Sequence, residues 1–527
     1  MFTKHRPIVL ILCLALTAGA AWSRDLWPVR ADEGVFYVDD DACPGPGYGT
    51  RSDPFCRIQD AVDAACAYGE IRVAAGTYAG AQEVTDSRTG YTYTQVVFIT
   101  QSLTLRGSYD AGNWSDEPDP TAHPTIIDAE GSGRGVSIVG AYGDLPSVTL
   151  EGLTITGGDY TGLGNPAGVG NRVCFRTGYD CGGGLFAHLA RIVVRNSVIT
   201  DNVAGRASSD RNSDGGGIYL WNTDADSRIE NTDIVRNSTS GVNGGGGGIY
   251  VHKGASLTLS GDTIEDNQTP DGGGGMSLFQ PVGPVVIERT DFIDNTTTNI
   301  NHGGGALKAH LNCDGQALQV DRVRMIGNVA QKRGAAIYLI KQSGSTSSTA
   351  RLTNVILTGN QALPGNATDS VIAIGLGYDF EVTMAHVTAA DNPAPTFLWA
   401  ESPYSGYTLT CDLTNTLIQS ATNAFAGNWQ DGYGDMLIEH THTLIHDVTT
   451  LHYAHDGTPN FASSHTLTGD PRLRDDAHLS SGSPAIDAGT DAGVTVDIDG
   501  DPRPQNKVPD IGADEAPCWT YLPLVIR

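Results

Sequence analysis

The chain has 527 residues, including 66 Gly, 25 Pro and 9 Cys, and its 60 acidic residues against 32 basic ones give a formal charge of −28. So acidic a surface repels phosphate and offers few cations for counterion release, which excludes nonspecific nucleic-acid binding. Glycine lacks the every-third spacing of collagen, and the 39% apolar content is too regularly placed for general disorder.

Residues 1–20 read as an export signal. Lys4 and Arg6 supply the positive start, Pro7–Leu16 the apolar run, and Ala18-Gly19-Ala20 the small residues for cleavage. The run is short for a bilayer span and no later stretch could serve, so no transmembrane segment is expected in the mature chain. Eight cysteines then remain, an even number that suits disulfides outside the cell. Cys174 and Cys181 could close the loop between them, and two of Cys43, Cys56 and Cys66 could staple the amino-terminal end.

Residues 21–125 are expected to form a cap and the first coils of a repeat structure. Ser52 or Asp53 is placed to cap a helix begun by Pro54, with Ile58, Ala61, Val62 and Ala65 at helical spacing. Ile71-Arg72-Val73 reads as a strand and Gly76-Thr77-Tyr78 as a turn.

The strongest signal lies in residues 126–420. Glycine clusters precede short apolar strands at Gly182-Gly183-Gly184-Leu185-Phe186, Gly215-Gly216-Gly217-Ile218-Tyr219, Gly246-Gly247-Gly248-Ile249-Tyr250, Gly273-Gly274-Gly275-Met276-Ser277, Gly303-Gly304-Gly305-Ala306-Leu307 and Gly334-Ala335-Ala336-Ile337-Tyr338. A second register with the same period runs through Asn202, Asn237, Asn267, Asn295, Asn328, Asn360 and Asn392. Three residues before the first six of these stand Ile199, Ile234, Ile264, Phe292, Met325 and Leu357.

Short alternation broken by glycine argues against helical repeats, and the unit is shorter than a propeller blade. It fits an all-β parallel β-helix whose coils stack ~4.8 Å apart, with asparagine bonding its counterpart in the next coil. In Leu185-Phe186-Ala187, Ile218-Tyr219-Leu220 and Ile249-Tyr250-Val251 the first and third side chains should face inward and the second outward. Beyond residue 420 the repeat loosens into terminal coils and a cap over 421–520, and histidines gather at His440, His442, His446, His452 and His455 without a defined metal-ligand set.

The opening Tyr37-Val38-Asp39-Asp40-Asp41, Gly49-Thr50-Arg51-Ser52-Asp53-Pro54-Phe55 and Ile58-Gln59-Asp60-Ala61-Val62 resemble the amino-terminal cap of the pectin-lyase-like superfamily. That resemblance implies a single-stranded, right-handed parallel β-helix. The closing Ser483-Pro484-Ala485-Ile486-Asp487-Ala488-Gly489, Asp499-Gly500-Asp501-Pro502-Arg503-Pro504 and Asp510-Ile511-Gly512-Ala513-Asp514-Glu515 resemble secreted bacterial choice-of-anchor proteins. Residues 521–527 are similar to terminal sorting or anchoring motifs of exported proteins, which implies cell-surface anchoring machinery as a partner. The superfamily holds lyases, hydrolases, epimerases and adhesins, so the fold does not choose an activity.

The residues following the glycine clusters give the candidate sites. Phe186, Tyr219 and Tyr250, with Tyr338 farther along, would make an outward aromatic ladder for sugar rings, or else a column buried under a loop. Asp214, Asp271, His302, Lys308, His310 and Arg333 gather around the turns. A lyase acting on anionic sugar would divide enolate stabilisation and proton removal among Lys308, His310 and Arg333. A glycosidase would use Asp214 and Asp271 as its carboxylates, and solvated turn residues are the plainer reading. Lys308 is placed in the inner row with Ala187, Leu220, Val251, Leu278 and Leu339, where a charge implies a bulge or a functional reason.

Asp497, Asp499 and Asp501 alternate around Gly500 and could hold Ca²⁺, or could form a hydrogen-bonded loop. The expectation is a secreted or cell-surface rod recognising extracellular polysaccharide or another surface polymer. A polysaccharide lyase or glycoside hydrolase, and a purely structural surface protein, are the alternatives.

Overall fold

The structure is a computed structural model that describes residues 34–517, apart from short segments at 115–116, 166–173, 176–177, 206–211, 225, 241–243, 255, 299–302, 312–314, 342–346, 364–367, 376 and 431. The signal segment, His302, Cys313, Cys518 and the 521–527 tail lie outside the described residues.

Short alternating strands between glycine and asparagine turns build a parallel β-solenoid of about 12 turns. Each strand pairs in parallel with its equivalent one coil on, so Leu185 lies beside Ile218, then Ile249, Met276, Leu307 and Ile337. The inner column expected from the sequence is continuous: Ile155, Ile199, Ile234, Ile264, Phe292, Met325 and Leu357 stack in register and are fully buried. Removing each such side chain from water contributes roughly 1.5–3 kcal/mol, which a column repeats at every coil.

Two turn columns hold the coils in register. At the first, Gly182, Gly215, Gly246, Gly273, Gly304 and Gly334 all have positive φ, and a Cβ at Gly215 would collide with the Ile218 carbonyl. At the second, the seven asparagines form a ladder. Each Nδ2 from Asn202 to Asn360 donates to the next asparagine's Oδ1 at 3.0 Å, and each backbone N–H donates to that same oxygen.

The amino-terminal helix runs Ile58–Ala64 and is the single α-helix among the described residues. It begins later than the sequence indicated, with Arg57 at the cap position and no side-chain cap bond. The preceding Phe55 is held instead by the first strand, donating its amide to the Tyr37 carbonyl at 2.8 Å. Ile58, Ala61 and Val62 turn onto the core as their spacing required. Gly76–Ala79, read as a turn, is a strand paired with Thr125–Asp128. Disulfides join Cys43 to Cys56 and Cys174 to Cys181.

After three long coil strands, Thr408–Asn428, Asp435–Asp456 and Asn460–Thr468, the chain turns back. Residues 469–517 strap the flank of the solenoid: Asn354 donates to the Val496 carbonyl at 3.0 Å, Asn415 to that of Thr490 at 2.7 Å, and the Ala513 amide to Thr388 Oγ1 at 2.9 Å. Among the described residues no helix is long and apolar enough to cross a membrane.

Candidate functional site

Each glycine turn launches a four-residue strand whose first and third side chains enter the core and whose second and fourth point away from it. The second positions form the expected ladder. Phe186 and Tyr219 stack with centroids 5.9 Å apart and planes 6° apart, and Tyr219 and Tyr250 at 5.5 Å and 1°. The parity holds, but the rings are covered: Phe186, Tyr219 and Tyr250 are at most 4% exposed and Tyr338 is 8%. They belong to a second apolar cluster with Tyr93, Phe98, Cys174 and Cys181. Arg134 lies 3.5 Å from the Tyr160 centroid and 4.1 Å from that of Phe186, and donates to the Cys181 and Gly182 carbonyls. Burial lowers its guanidinium pKa, and the flanking tyrosines oppose that shift. The buried-column alternative therefore describes Phe186, Tyr219 and Tyr250, which the hairpin and the disulfide loop roof, while Tyr338 is buried farther along beside Arg333.

The fourth positions were not singled out from the sequence. They read His188, Trp221, His252, Phe279 and His310, in register over five coils. His188 stacks on Trp221 at 4.0 Å and 11°, and His252 on Phe279 at 5.3 Å and 18°. Phe175, carried by the Cys174–Cys181 loop, lies over His252 at 3.7 Å. His310, read as a catalytic candidate, is a member of this row. The signal was available in the aromatic or histidine residue four places after each of the first four glycine runs, and five after Gly305.

At one end this row opens into a cavity of about 500 Å³ lined by Arg88, Tyr91, Tyr93, Tyr142, His188 and Trp221, among others. The hairpin Gln82–Thr85/Thr92–Ile99 supplies Arg88 and Tyr91 at its tip, and the bridged turn Ala141–Asp144 supplies Tyr142, which is 87% exposed. Arg88 is oriented by Asp86 at 2.9 and 3.1 Å and by the Val139 carbonyl at 2.8 Å. Burial opposes ionisation of Asp86, but the bonds from Arg88 outweigh it and hold the carboxyl below its usual value. Burial pushes His188 down to about 4, so the floor of the cavity is uncharged at neutral pH.

The charged candidates collect farther along. Lys308 pairs in register with Ser277 and Tyr338 and so stands in the outward second row, while Leu307 faces the core. The sequence reading of this coil was one residue out, because Ala306 continues the glycine turn: the Met276 amide donates to its carbonyl. No bulge is needed to accommodate the charge. Lys308 Nζ lies 2.9 Å from Asp271 Oδ1, with side chains 6% and 16% exposed. Arg333 binds Glu401 at 2.7 Å and sits 5.7 Å from the Tyr338 centroid. Burial, opposed by Arg333 and reinforced by Glu401, pushes the Tyr338 hydroxyl up to about 12.

Asp214 is buried, accepts the Gly245 amide at 3.1 Å, and stacks on Gly245 and then Gly272, one residue off Asp271. As placed, the two aspartates are a turn fastener and a lysine partner, not carboxylates facing each other across an open cleft.

In the strap, Asp497 is fully buried. Its Oδ1 accepts the Asp499 and Asp501 amides at 3.0 and 2.8 Å, and its Oδ2 accepts the Glu515 amide at 3.0 Å. Backbone amides thus bond both oxygens of this carboxylate, while Asp499 turns to His478 at 2.8 Å. Of the late histidines, His440 and His452 meet at 2.9 Å and His442 stacks on His465.

No family profile matches the chain, and no curated protein matches it. Among solved structures it is similar to the catalytic unit of an α-1,3-glucanase from Streptomyces thermodiastaticus (TM-score 0.43, 12% identity, covering 78% of this chain and 65% of that one). It is also similar to a pectate lyase (0.42, 12%, 92% and 96%) and to an alginate lyase from Paenibacillus sp. (0.31, 12%, 82% and 99%). The chain thus spans less than two thirds of the glucanase unit's length.

Proposed function

We propose that this is an exported β-solenoid that binds an extracellular polysaccharide, with one sugar unit seated in the cavity between Tyr91, Tyr142, His188 and Trp221. The observation that carries the reading is a pocket with flat aromatic walls and a fixed guanidinium at its rim. Apolar faces of sugar rings stack on such walls.

The preferred polymer is neutral. Arg88 is already neutralised by Asp86, and a chain of formal charge −28 repels polyanions at long range.

Affinity electrophoresis against soluble neutral and acidic polysaccharides tests this. Tyr142→Ala should weaken binding about tenfold, corresponding to ~1.4 kcal/mol of stacking, and Trp221→Ala at least as much. The buried Tyr219→Phe should bind normally. Unchanged affinity in a folded Tyr142→Ala protein would refute the site.

An enzyme acting on acidic polysaccharide is the second reading, motivated by Lys308, Arg333 and Tyr338 on neighbouring coils. It requires the polymer to displace Asp271 and Glu401 from their cations. Release of unsaturated or reducing ends from uronate polymers, lost in Lys308→Ala, would favour it.

A further inference from the structure

We propose a divalent transition-metal site, of the kind that takes Zn²⁺, in the carboxy-terminal strap, with His478 Nε2 and the carboxylates of Asp499 and Asp514 as ligands. These three ligand atoms come from separate stretches of the strap and lie within 4.8 Å of one another.

The hydrogen bonding fixes what each can offer. His478 Nδ1 lies 3.0 Å from the Asp476 carbonyl, and a carbonyl can only accept, so Nδ1 carries the proton. Nε2 is left facing Asp499 Oδ2 at 2.8 Å. Two lone pairs do not rest at that distance, so a proton or a metal ion lies between them. Asp514 spends Oδ2 on the Leu479 amide at 2.7 Å, and its Oδ1 accepts no bond among the described residues.

Each ligand is held from behind: His478 by Asp476, Asp514 by Leu479, and Asp499 through its amide by Asp497 at 3.0 Å. This is the outer shell that metal ligands ordinarily need. His478 and Asp514 are nearly enclosed, at 5% and 6% exposed, whereas the Asp499 side chain is 52% exposed. An exposed aspartate on a turn can close the remaining gap to bonds of ~2.0–2.2 Å and leaves one position for water.

One imidazole with two carboxylates favours Zn²⁺ over Ca²⁺, which seeks six to eight oxygens. Of the other nearby carboxylates, Asp497 already accepts amides at both oxygens, and Asp476 lies on the Nδ1 side of the ring, 3.2 Å away. Ion binding would tie the 478, 499 and 514 segments together and fasten the strap to itself.

The test uses the full chain, stripped by a chelator and titrated with Zn²⁺ at neutral pH in competition with a chromophoric chelator. Wild type is expected to take up one tight equivalent and to melt at a higher temperature with it. Both effects should fall at least tenfold or vanish in His478→Gln and in the exposed Asp499→Asn, and both should persist in His442→Gln. If wild type takes up no zinc, or if His478→Gln and Asp499→Asn take it up as wild type does, the cluster is a protonated histidine between carboxylates and the proposal falls.

Discussion

Replacing Asn267 by alanine tests how much the asparagine ladder stabilises the rod. Its Oδ1 accepts from the Asn237 amide and Nδ2 at 2.9 and 3.0 Å, and its Nδ2 donates to the Ile234 carbonyl at 2.8 Å and to Asn295 Oδ1 at 3.0 Å. Alanine removes all four bonds. Asn237 Nδ2 keeps its bond to the Ile199 carbonyl, and Asn295 Oδ1 keeps the Asn267 amide. The Asn237 N–H is stranded in a fully buried turn. Three bonds at ~1 kcal/mol net each, with ~1–3 kcal/mol for the fourth as an orphaned buried donor, bring the cost to roughly 5 kcal/mol.

Coils contact mainly their neighbours, so the loss should be local. Native-state hydrogen exchange should show protection falling by that amount in the coils holding Asn237, Asn267 and Asn295, with the coil of Asn392 little changed. The adjacent exposed Gln268→Ala is the control. A loss below about 1 kcal/mol, or one spread evenly along the chain, would refute the idea that the side-chain ladder locks the register.

Asp271→Ala should destabilise the protein by roughly 3 kcal/mol, because it removes a carboxylate 2.9 Å from an enclosed ammonium, and adding Lys308→Met should recover most of the loss in urea melts. Additive single and double effects would show that the pair is not coupled. The His188 pKa is lower folded, at about 4, than its ordinary 6.5. Between those values the unfolded chain binds more protons, so this residue's contribution is full above pH 6.5 and is lost as pH falls toward 4. Measured against His188→Phe, wild type should therefore lose stability, on the order of 3 kcal/mol, across that window. A pH-independent difference would place His188 in water.

The glycine and asparagine registers made the solenoid legible because each coil imposes the same local demand. A positive φ, an inward aliphatic residue and a buried amide recur at one period. What covers the outward face was not legible. Phe186, Tyr219 and Tyr250 alternate as surface residues do, yet the hairpin Gln82–Thr85/Thr92–Ile99 and the Cys174–Cys181 loop cross above them. Those neighbours lie outside the repeat, so periodicity says nothing about them. Lys308 shows a different limit: one extra small residue, Ala306, shifts a row by one and reverses which side chain faces the core.

The strap shows the same division between local signal and distant partner. Its Asp- and Gly-rich motifs are plain in the sequence, but the solenoid groups the strap meets lie far upstream, 75 residues from Thr490 to Asn415 and 142 from Val496 to Asn354. Arg503, wholly enclosed, contacts Glu515 at 3.1 Å, donates to the Asp510 and Ala513 carbonyls, and meets His386 Nδ1 at 2.7 Å. Burial, and then Arg503 itself, hold His386 down to about 3. His386 is thus a neutral imidazole, with Arg503 at Nδ1 and the Asn415 Nδ2 at Nε2, 3.1 Å away. An imidazolium there would set two cations in contact out of reach of water. The Asn415 side-chain oxygen accepts the Thr490 amide at 2.9 Å, beside an apolar patch where Leu473, Leu479, Ile486 and Ile511 of the strap meet Leu417 and Leu444. Polar contacts this enclosed lose their bonds if the strap slides by one residue, whereas an apolar face would tolerate the shift. The strap is therefore a register-specific attachment: Asn354, Thr388, His386 and Asn415 of the solenoid hold it from outside, while Asp497, Asp510 and Asp514 accept amides from within the strap and fix its own shape.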